Sequence, residues 1–585
     1  MTAGCQGGIG RLSGSRTTAL RAASPLGEVS GRPPKALRRR LLYASALGAA
    51  LVASTAPNAR AQLTRIDTVM VTVGKPFPAE SASGFLPRTM NALHVTTRPG
   101  IVRRQLLLRK GDPYDGELAA ESERILRAMQ VFKEVHVDSA RLDDGRLALL
   151  VETRDSWTTS PSIGFSVGAG GTVTYKLGFT ESNLLGTGSL AYASYRKDVD
   201  RTAFSAAGRS QNLFGSAVDA AGYAQFLSDG TVVRWDVGDP FRAMTDPRRL
   251  TVTGEYANQR ILQYRATATT LDTTVYDRDA FLAVGTAGFN LSSSPRYYVR
   301  LGGFAQLRQE RFVLRGADSL GLTDSATAAF GVFASWERAH FITMRRFNGL
   351  GDEDIDAGLY VGVGIVATPA ALGYERTGAG PRATLRGTIP FERGFATLHA
   401  EGHGIFDGSG LDSGAVEVRL TVGYKPAERH ATILHVQGGA MEGETPGAEY
   451  DLGFNVPPRS WAPHAFVGNR SVWGAVEHKW YVVDALFGLF GAAVAGFADY
   501  GGAWFEGEDP RFGGDVGVGL RIGSALSGVA RTGRIDVGWR FGGGVEGDHG
   551  PVLSIGMGWV FGGGKDPTCV PAVYQVGFRC RPREN

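Results

Sequence analysis

The stretch Arg534-Ile535-Asp536-Val537-Gly538-Trp539-Arg540-Phe541 changes character at every residue. Successive side chains of a strand point to opposite faces. Ile535, Val537, Trp539 and Phe541 therefore share one face, and Arg534, Asp536, Gly538 and Arg540 the other. The same period of two recurs upstream and downstream. Val516, Val518, Leu520 and Ile522 oppose Gly517, Gly519 and Arg521. Val173, Tyr175, Leu177 and Phe179 oppose Thr174, Lys176 and Gly178, and Leu359, Val361, Val363 and Ile365 oppose Gly362 and Gly364. From Trp157 to Phe561 this alternation persists and helical periodicity is lost.

Alternation alone fits two solvents. In a soluble sandwich the apolar face is the core, whereas in a membrane barrel it meets lipid and the second face meets the lumen. Three features favour the barrel. Strands recur over about 400 residues without a helix, Gly and charge fill the second face, and aromatics collect near strand ends, as interfacial girdles require. At about 25 residues per strand and connection, the expected fold is an all-β transmembrane barrel of roughly 16 antiparallel strands.

Composition agrees. Gly is 82 of 585 residues, about twice ordinary usage, without a G-X-Y period that would indicate collagen. Three Cys exclude a disulfide-dense scaffold. The formal charge of +5 is concentrated at the N-terminus: residues 1–61 carry nine basic groups against one acid, Glu28, which leaves the remainder at −3. The basic pI therefore gives no ground for a nucleic-acid partner.

Arg38-Arg39-Arg40 precede an apolar run from Leu41 to Val52, and Ala59-Arg60-Ala61 follow. A basic region, a short apolar region and an A-x-A site make a secretory signal, expected to be cleaved before Gln62. The alternative is a membrane anchor, but the run is shorter than the roughly 20 residues of a spanning helix. Residues 62–156 read as a small α/β domain. A strand is expected at Asp67–Thr72 and a helix after Asp115 with Leu118, Ser122, Ile125, Leu126 and Met129 on one face. Two further strands flank the turn Asp143-Asp144-Gly145. The barrel then occupies 157–561 and a tail 562–585.

This order resembles the outer-membrane assembly-factor superfamily, the BamA/TamA or bacterial surface antigen barrels with one polypeptide-transport-associated (POTRA) module. The resemblance rests on "LLLRKGDP" (Leu106–Pro113), "ESERILRAMQVFKEV" (Glu121–Val135), "GRLALLVETRDSW" (Gly145–Trp157), "GFTESNLLGTG" (Gly178–Gly188) and "FADYGGAWF" (Phe497–Phe505). The family's reinserting loop usually reads Gly-Asp-Arg-x-Leu-Arg-Gly-Tyr. Here Gly468-Asn469-Arg470-Ser471-Val472-Trp473-Gly474-Ala475 stands in its place, with Trp473 where the family has the Arg that pins the loop to the inner wall. Either Arg470 supplies that charge and the loop docks differently, or the activity is altered. The last strand ends Ser554-x-Gly556-x-x-Trp559-x-Phe561, which fits a barrel-targeting signal, an ordinary alternating strand being the alternative.

Gly164-Phe165-Ser166-Val167-Gly168 matches a nucleophile elbow and Gly542–Gly547 a dinucleotide fingerprint, but neither sits in the required strand-turn-helix context. His399, Glu401 and His403 share one strand face; a zinc would need further ligands to complete its shell, and a polar lumen row, which any barrel has, is the favoured reading. No catalytic constellation, cofactor site or metal site is expected. Cys569 and Cys580 are the two Cys beyond the leader, and in an oxidising compartment they are expected to join, free thiols being the alternative.

The resemblance implies an outer-membrane protein with its N-terminal module in the periplasm. It would assist insertion or translocation of client outer-membrane or secreted proteins by strand addition at a seam between Ser162–Gly168 and Val552–Phe561. Its partners would be outer-membrane lipid, those clients and periplasmic chaperones. A two-partner secretion pore and a passive or structural barrel are the rival readings.

Overall fold

In the computed structural model the chain is described over residues 64–557, except 79–84, 168–172, 267–270, 316–321, 351, 444–446, 454–455, 487–489, 525–531 and 544–549. All of these fall within one of the chain's two compact units, Leu63–Asn585.

The N-terminal module is a three-stranded sheet under helices. β1 (Thr68–Gly74) runs parallel to β3 (Leu147–Asp155), which pairs antiparallel with β2 (Phe132–Arg141), in the order β1-β3-β2. Between β1 and β2 lie α1 (Phe85–Leu93), α2 (Pro99–Gln105) and α3 (Gly116–Ala128). Asp115 caps α3 by accepting from the Glu117 and Leu118 amides at 2.8 and 3.4 Å, which satisfies donors the helix cannot pair itself. Leu126 of α3 then joins Val135, Val137, Leu149 and Val151 in the module's core. The helical spacing after Asp115 exposed α3 in the sequence. Helices α1 and α2 escaped it because α1 carries Pro87 and α2 opens on Pro99-Gly100, residues whose propensity argues against helix although Pro is tolerated in a first turn.

The barrel begins with β4 (Thr159–Val167), β5 (Val173–Leu184), β6 (Ser189–Lys197), β7 (Thr202–Ser210), β8 (Asp219–Leu227) and β9 (Gly230–Asp239). Longer strands follow: β10 (Arg248–Ala266), β11 (Leu271–Ser294), β12 (Tyr297–Leu314) and β13 (Ser325–Arg338). After a separate hairpin of β14 (Phe341–Arg345) and β15 (Asp352–Asp356), the wall resumes with β16 (Leu359–Thr368), β17 (Gly378–Phe391) and β18 (Gly394–Asp407). It continues through β19 (Gly410–Tyr424) and β20 (His430–Glu442). A second two-stranded sheet, β21 (Tyr450–Leu452) and β22 (Phe466–Gly468), precedes β23 (Arg470–Leu486). The wall ends with β24 (Phe490–Trp504), β25 (Gly513–Ser524), β26 (Thr532–Gly542) and β27 (Pro551–Met557).

Among the described residues, twenty of these strands close antiparallel into one barrel. The expectation of roughly 16 was too low. It assumed long connections, whereas only Ser228-Asp229, Pro295-Arg296, Glu392-Arg393 and Gly408-Ser409 separate four of the strand pairs. No helix among the described residues is long and apolar enough to cross a membrane.

The two faces of the wall divide as the alternation foretold. Val516, Val518, Leu520, Ile522, Trp539 and Phe541 are exposed on the outside, while Asp515, Arg521, Arg534, Asp536 and Arg540 are buried on the inside. A contiguous apolar exterior of this extent is unfavourable in water and favourable in lipid.

The module lies against one end of the barrel. Asn183 of β5 donates to the Val95 carbonyl and to Thr97 Oγ1. Gln105 donates to Asn212 in the β7–β8 turn at 2.8 Å, the Met244 amide in the β9–β10 connection donates to Glu121 at 3.3 Å, and Arg296 in the β11–β12 turn pairs with Glu117 at 2.7 Å. Gly186, with φ of +72°, brings the β5–β6 turn so close to Thr96 that any Cβ there would meet its carbonyl oxygen at 2.5 Å.

Candidate functional site

Two features of the barrel bear on function: a loop held inside it and the junction at which its last strand meets its first.

The loop joins β20 to β23, on the end away from the module. Its segment Pro457-Pro458-Arg459-Ser460-Trp461 folds inward. Arg459 is 2% exposed and is held by three strands at once. Its guanidinium donates to Asp499 of β24 at 2.6 and 2.9 Å and to Glu477 of β23 at 3.1 Å, and it stands 3.7 Å from Asp536 of β26. The same group lies over the Phe497 ring at 4.2 Å. The Ser460 amide donates to Asp515 at 2.7 Å and Trp461 Nε1 to the Gly514 carbonyl at 3.0 Å. Behind the pin, Arg521 binds Glu477 at 2.6 Å and Asp536 at 2.5 Å, and Arg534 binds Asp536 at 2.8 Å. Buried charges persist only when paired in good geometry, and here every carboxylate facing Arg459 has at least one cationic partner.

A second clamp holds the loop at His464. Its Nδ1 lies 2.8 Å from Asp451, its ring stacks on Tyr264 at 3.7 Å, and Nε2 is 3.5 Å from Asp200, close enough for charge attraction but long for a hydrogen bond. Burial alone would lower the pKa of this imidazole. The two carboxylates outweigh burial, and the pKa is raised to about 10.

These positions correct the expectation for Gly468–Ala475. Gly468 ends β22, and Arg470–Ala475 are the first residues of β23, paired with both β20 and β24. Arg470 does not enter the lumen's ion-pair network: it binds Glu506, itself largely exposed, at 2.7 Å. Trp473 faces inward, buried beside His435 and against Gly501, and Gly474 takes the opposite register. The residue pinned inside is Arg459, eleven positions upstream of Arg470. Its signal was the pair Pro457-Pro458, which cannot belong to a central strand, followed at once by an Arg and a Trp in an otherwise strand-like region. The acid of "FADYGG", Asp499, is its main partner.

The wall closes between β27 and β4, whose described residues pair antiparallel at Ser554↔Ser166 and Ile555↔Phe165. On either side, β4 pairs with β5 from Thr159↔Glu181 to Val167↔Val173, and β26 pairs with β27 from Gly533↔Met557 to Trp539↔Pro551. The first and last wall strands therefore meet as expected, with β4 starting at Thr159. Ser554 is buried on the inner face and Gly556 lies in β27. Trp559, Phe561, Cys569 and Cys580 lie outside the described residues.

His399, Glu401 and His403 all lie on β18. Glu401 binds Arg419 of β19 at 3.2 Å and stands 3.8 Å from His399, so it belongs to an ion-pair row of the inner wall. Gly164–Val167 lie within β4, not on an elbow.

Fold and site together define a class: a closed barrel with an apolar exterior, a charged interior and an inward-folded loop pinned by a buried arginine. Among solved structures the chain is similar to BamA from Haemophilus ducreyi lacking POTRA domains 1-3 (12% identity, 84% of each chain, TM-score 0.36). It is also similar to CdiB from Escherichia coli (11% identity, 89% of this chain and 97% of that one, TM-score 0.44) and to CdiB from Acinetobacter baumannii (10% identity, 85% and 74%, TM-score 0.41). No protein-family model matches the chain, and no curated protein matches it in sequence.

Proposed function

We propose that this chain is an outer-membrane barrel, with a POTRA-like module in the periplasm, that assists insertion or translocation of client proteins by strand addition at the β27–β4 seam. The observation that carries the reading is the place of the closure: the first and last wall strands, β4 and β27, meet antiparallel edge to edge at Ser554↔Ser166 and Ile555↔Phe165. An unpaired backbone group in lipid costs several kcal/mol. A client strand entering the membrane therefore needs a template edge, and parting of β4 from β27, at about 0.5–1.5 kcal/mol net for each backbone hydrogen bond given up, supplies two. Pairing of the client with such an edge is β-augmentation. Gly164 in β4 packs no side chain across the seam, which weakens closure at that position. Neither a cofactor nor a nucleic acid enters this reading. The clients are outer-membrane or secreted proteins, delivered by periplasmic chaperones.

Reconstitution of the full chain into liposomes tests it. Accelerated folding of an added outer-membrane client supports insertion at the seam. Export of one dedicated exoprotein without client folding would replace the proposal with a two-partner secretion pore. Ion flux alone would overturn it in favour of a passive channel.

A further inference from the structure

The connection between β13 and β16 lies at the module end of the barrel, where other connections are short, yet it carries the β14–β15 hairpin. That hairpin turns into the lumen. Arg346, Phe347 and Asn348 at its tip are buried, and Phe347 is wholly so. The Phe347 ring meets Phe395 of β18 edge-on at 5.0 Å and lies over Gly423 of β19, where a Cβ would stand 2.5 Å from it. The Phe347 carbonyl accepts from Lys479 Nζ and from the Tyr481 hydroxyl, both of β23 and both at 3.1 Å. Glu353 folds the tip by accepting from the Asn348 and Gly349 amides at 2.7 and 2.8 Å. Arg346 reaches Asp484 at 3.1 Å, and Arg386 of β17 binds Asp356 at the base.

The hairpin and the pinned loop enter from opposite ends and contribute to one apolar cluster. Phe347 and Ile355 of the hairpin belong to the same apolar core as Tyr450, Leu452, Trp461 and Phe466 of the loop, together with Trp473 and Tyr481 of β23. A polar chain runs beside this core. The Phe347 carbonyl binds Lys479, Lys479 stands 3.8 Å from Glu477, and Glu477 holds Arg459 at 3.1 Å. The module's helices already lie across the turns of β5 to β12, and Arg124 of α3 sits over Phe341 of β14 at 5.4 Å. The hairpin thus adjoins the module at this end of the barrel.

We propose that the β14–β15 hairpin is a lumen stopper that completes closure of the module-side mouth and is locked to the inward-folded loop through β23, so that the two loosen together. This goes beyond the insertion reading and does not depend on which client is handled. Packed interfaces of this kind have discrete arrangements, and loss of one anchor shifts the population between them.

The test uses the full chain in planar lipid bilayers, with retained heat-modifiable migration as the check on barrel assembly. Phe347→Ala removes the packed ring, and Tyr481→Phe removes one hydrogen bond to the tip while keeping the core filled. Arg459's ion-pair partners are Asp499, Glu477 and Asp536, and neither variant alters them. Both variants should show open-channel time raised about tenfold or more over the parent. Amide exchange in the loop peptide around Arg459–Trp461, read by mass spectrometry, should quicken with it. Unchanged conductance in both assembled variants would overturn the stopper. Raised conductance with an unaltered loop peptide would overturn the lock between hairpin and loop. If Phe347→Ala fails to assemble, Tyr481→Phe alone decides both points.

Discussion

Replacing Arg459 by Met removes the charge that holds the loop inside while keeping much of the side chain's volume. Three carboxylates face that charge, but they lose unequally. Glu477 keeps Arg521 at 2.6 Å, and Asp536 keeps Arg521 at 2.5 Å and Arg534 at 2.8 Å. Asp499, fully buried, loses the two guanidinium bonds at 2.6 and 2.9 Å. Breaking a buried pair by removing one partner costs about 3–5 kcal/mol, most of it the penalty of the stranded charge. Since Arg459 is a loop residue and the carboxylates belong to the wall, that cost falls on docking of the loop. The docked-to-undocked ratio should drop by about two to four orders of magnitude. The amides of Arg459 and Ser460, which donate to Asp499 at 3.3 Å and to Asp515 at 2.7 Å, report it directly. Amide exchange of the peptide spanning them should quicken by about a hundredfold in the variant, with heat-modifiable migration of the barrel preserved. Arg470→Ala is the matched control: its partner Glu506 is largely exposed, and such pairs are worth about 0–1 kcal/mol. A loop peptide as protected in Arg459→Met as in the parent, or equal loss in Arg470→Ala, would refute the assignment of the pin.

His464 gives the loop a pH dependence: its folded pKa, raised to about 10 by Asp451 and Asp200, exceeds the ordinary value near 6.5. Its contribution is complete below about pH 6.5 and is lost as pH rises through 10; exchange of the loop should quicken over that range, and His464→Gln should abolish the dependence. Val518→Arg places a charge on the 56%-exposed outer face of β25 and should cost about 2–4 kcal/mol near the bilayer midplane, read as a lower folded fraction in lipid vesicles, whereas normal yield would count against a lipid-facing belt. A cysteine pair at Phe165 and Ile555, opposed across the seam, should oxidise and stop client folding until reductant is added; a locked barrel that still folds clients at the parent rate would remove the seam from the mechanism.

The barrel was legible because its solvent problem repeats at every second residue. Side chains alternate between lipid and lumen, so Val516, Val518, Leu520 and Ile522 could be assigned to one face without coordinates, and the module's third helix showed in its spacing and its Asp115 cap. The seam strands followed from their places at the two ends of that pattern. Strand number was not legible, since period two says nothing of connection length, and two-residue turns such as Glu392-Arg393 leave room for twenty strands among the described residues. Nor was the pin. Arg459 finds its partners 18 and 40 positions away in the chain, across strands whose neighbours are set only once the wall closes. The alternation of Arg470 to Ala475 was itself a strand signal, outweighed by likeness to a loop motif. The hairpin tip at Phe347 reads as an ordinary turn in sequence. Its burial depends on Lys479 and Tyr481, 132 and 134 residues on. Local periodicity records which medium each residue faces, and it determined the wall. Which segments fold back into the lumen is a matter of long-range charge and packing, and only the closed barrel decides it.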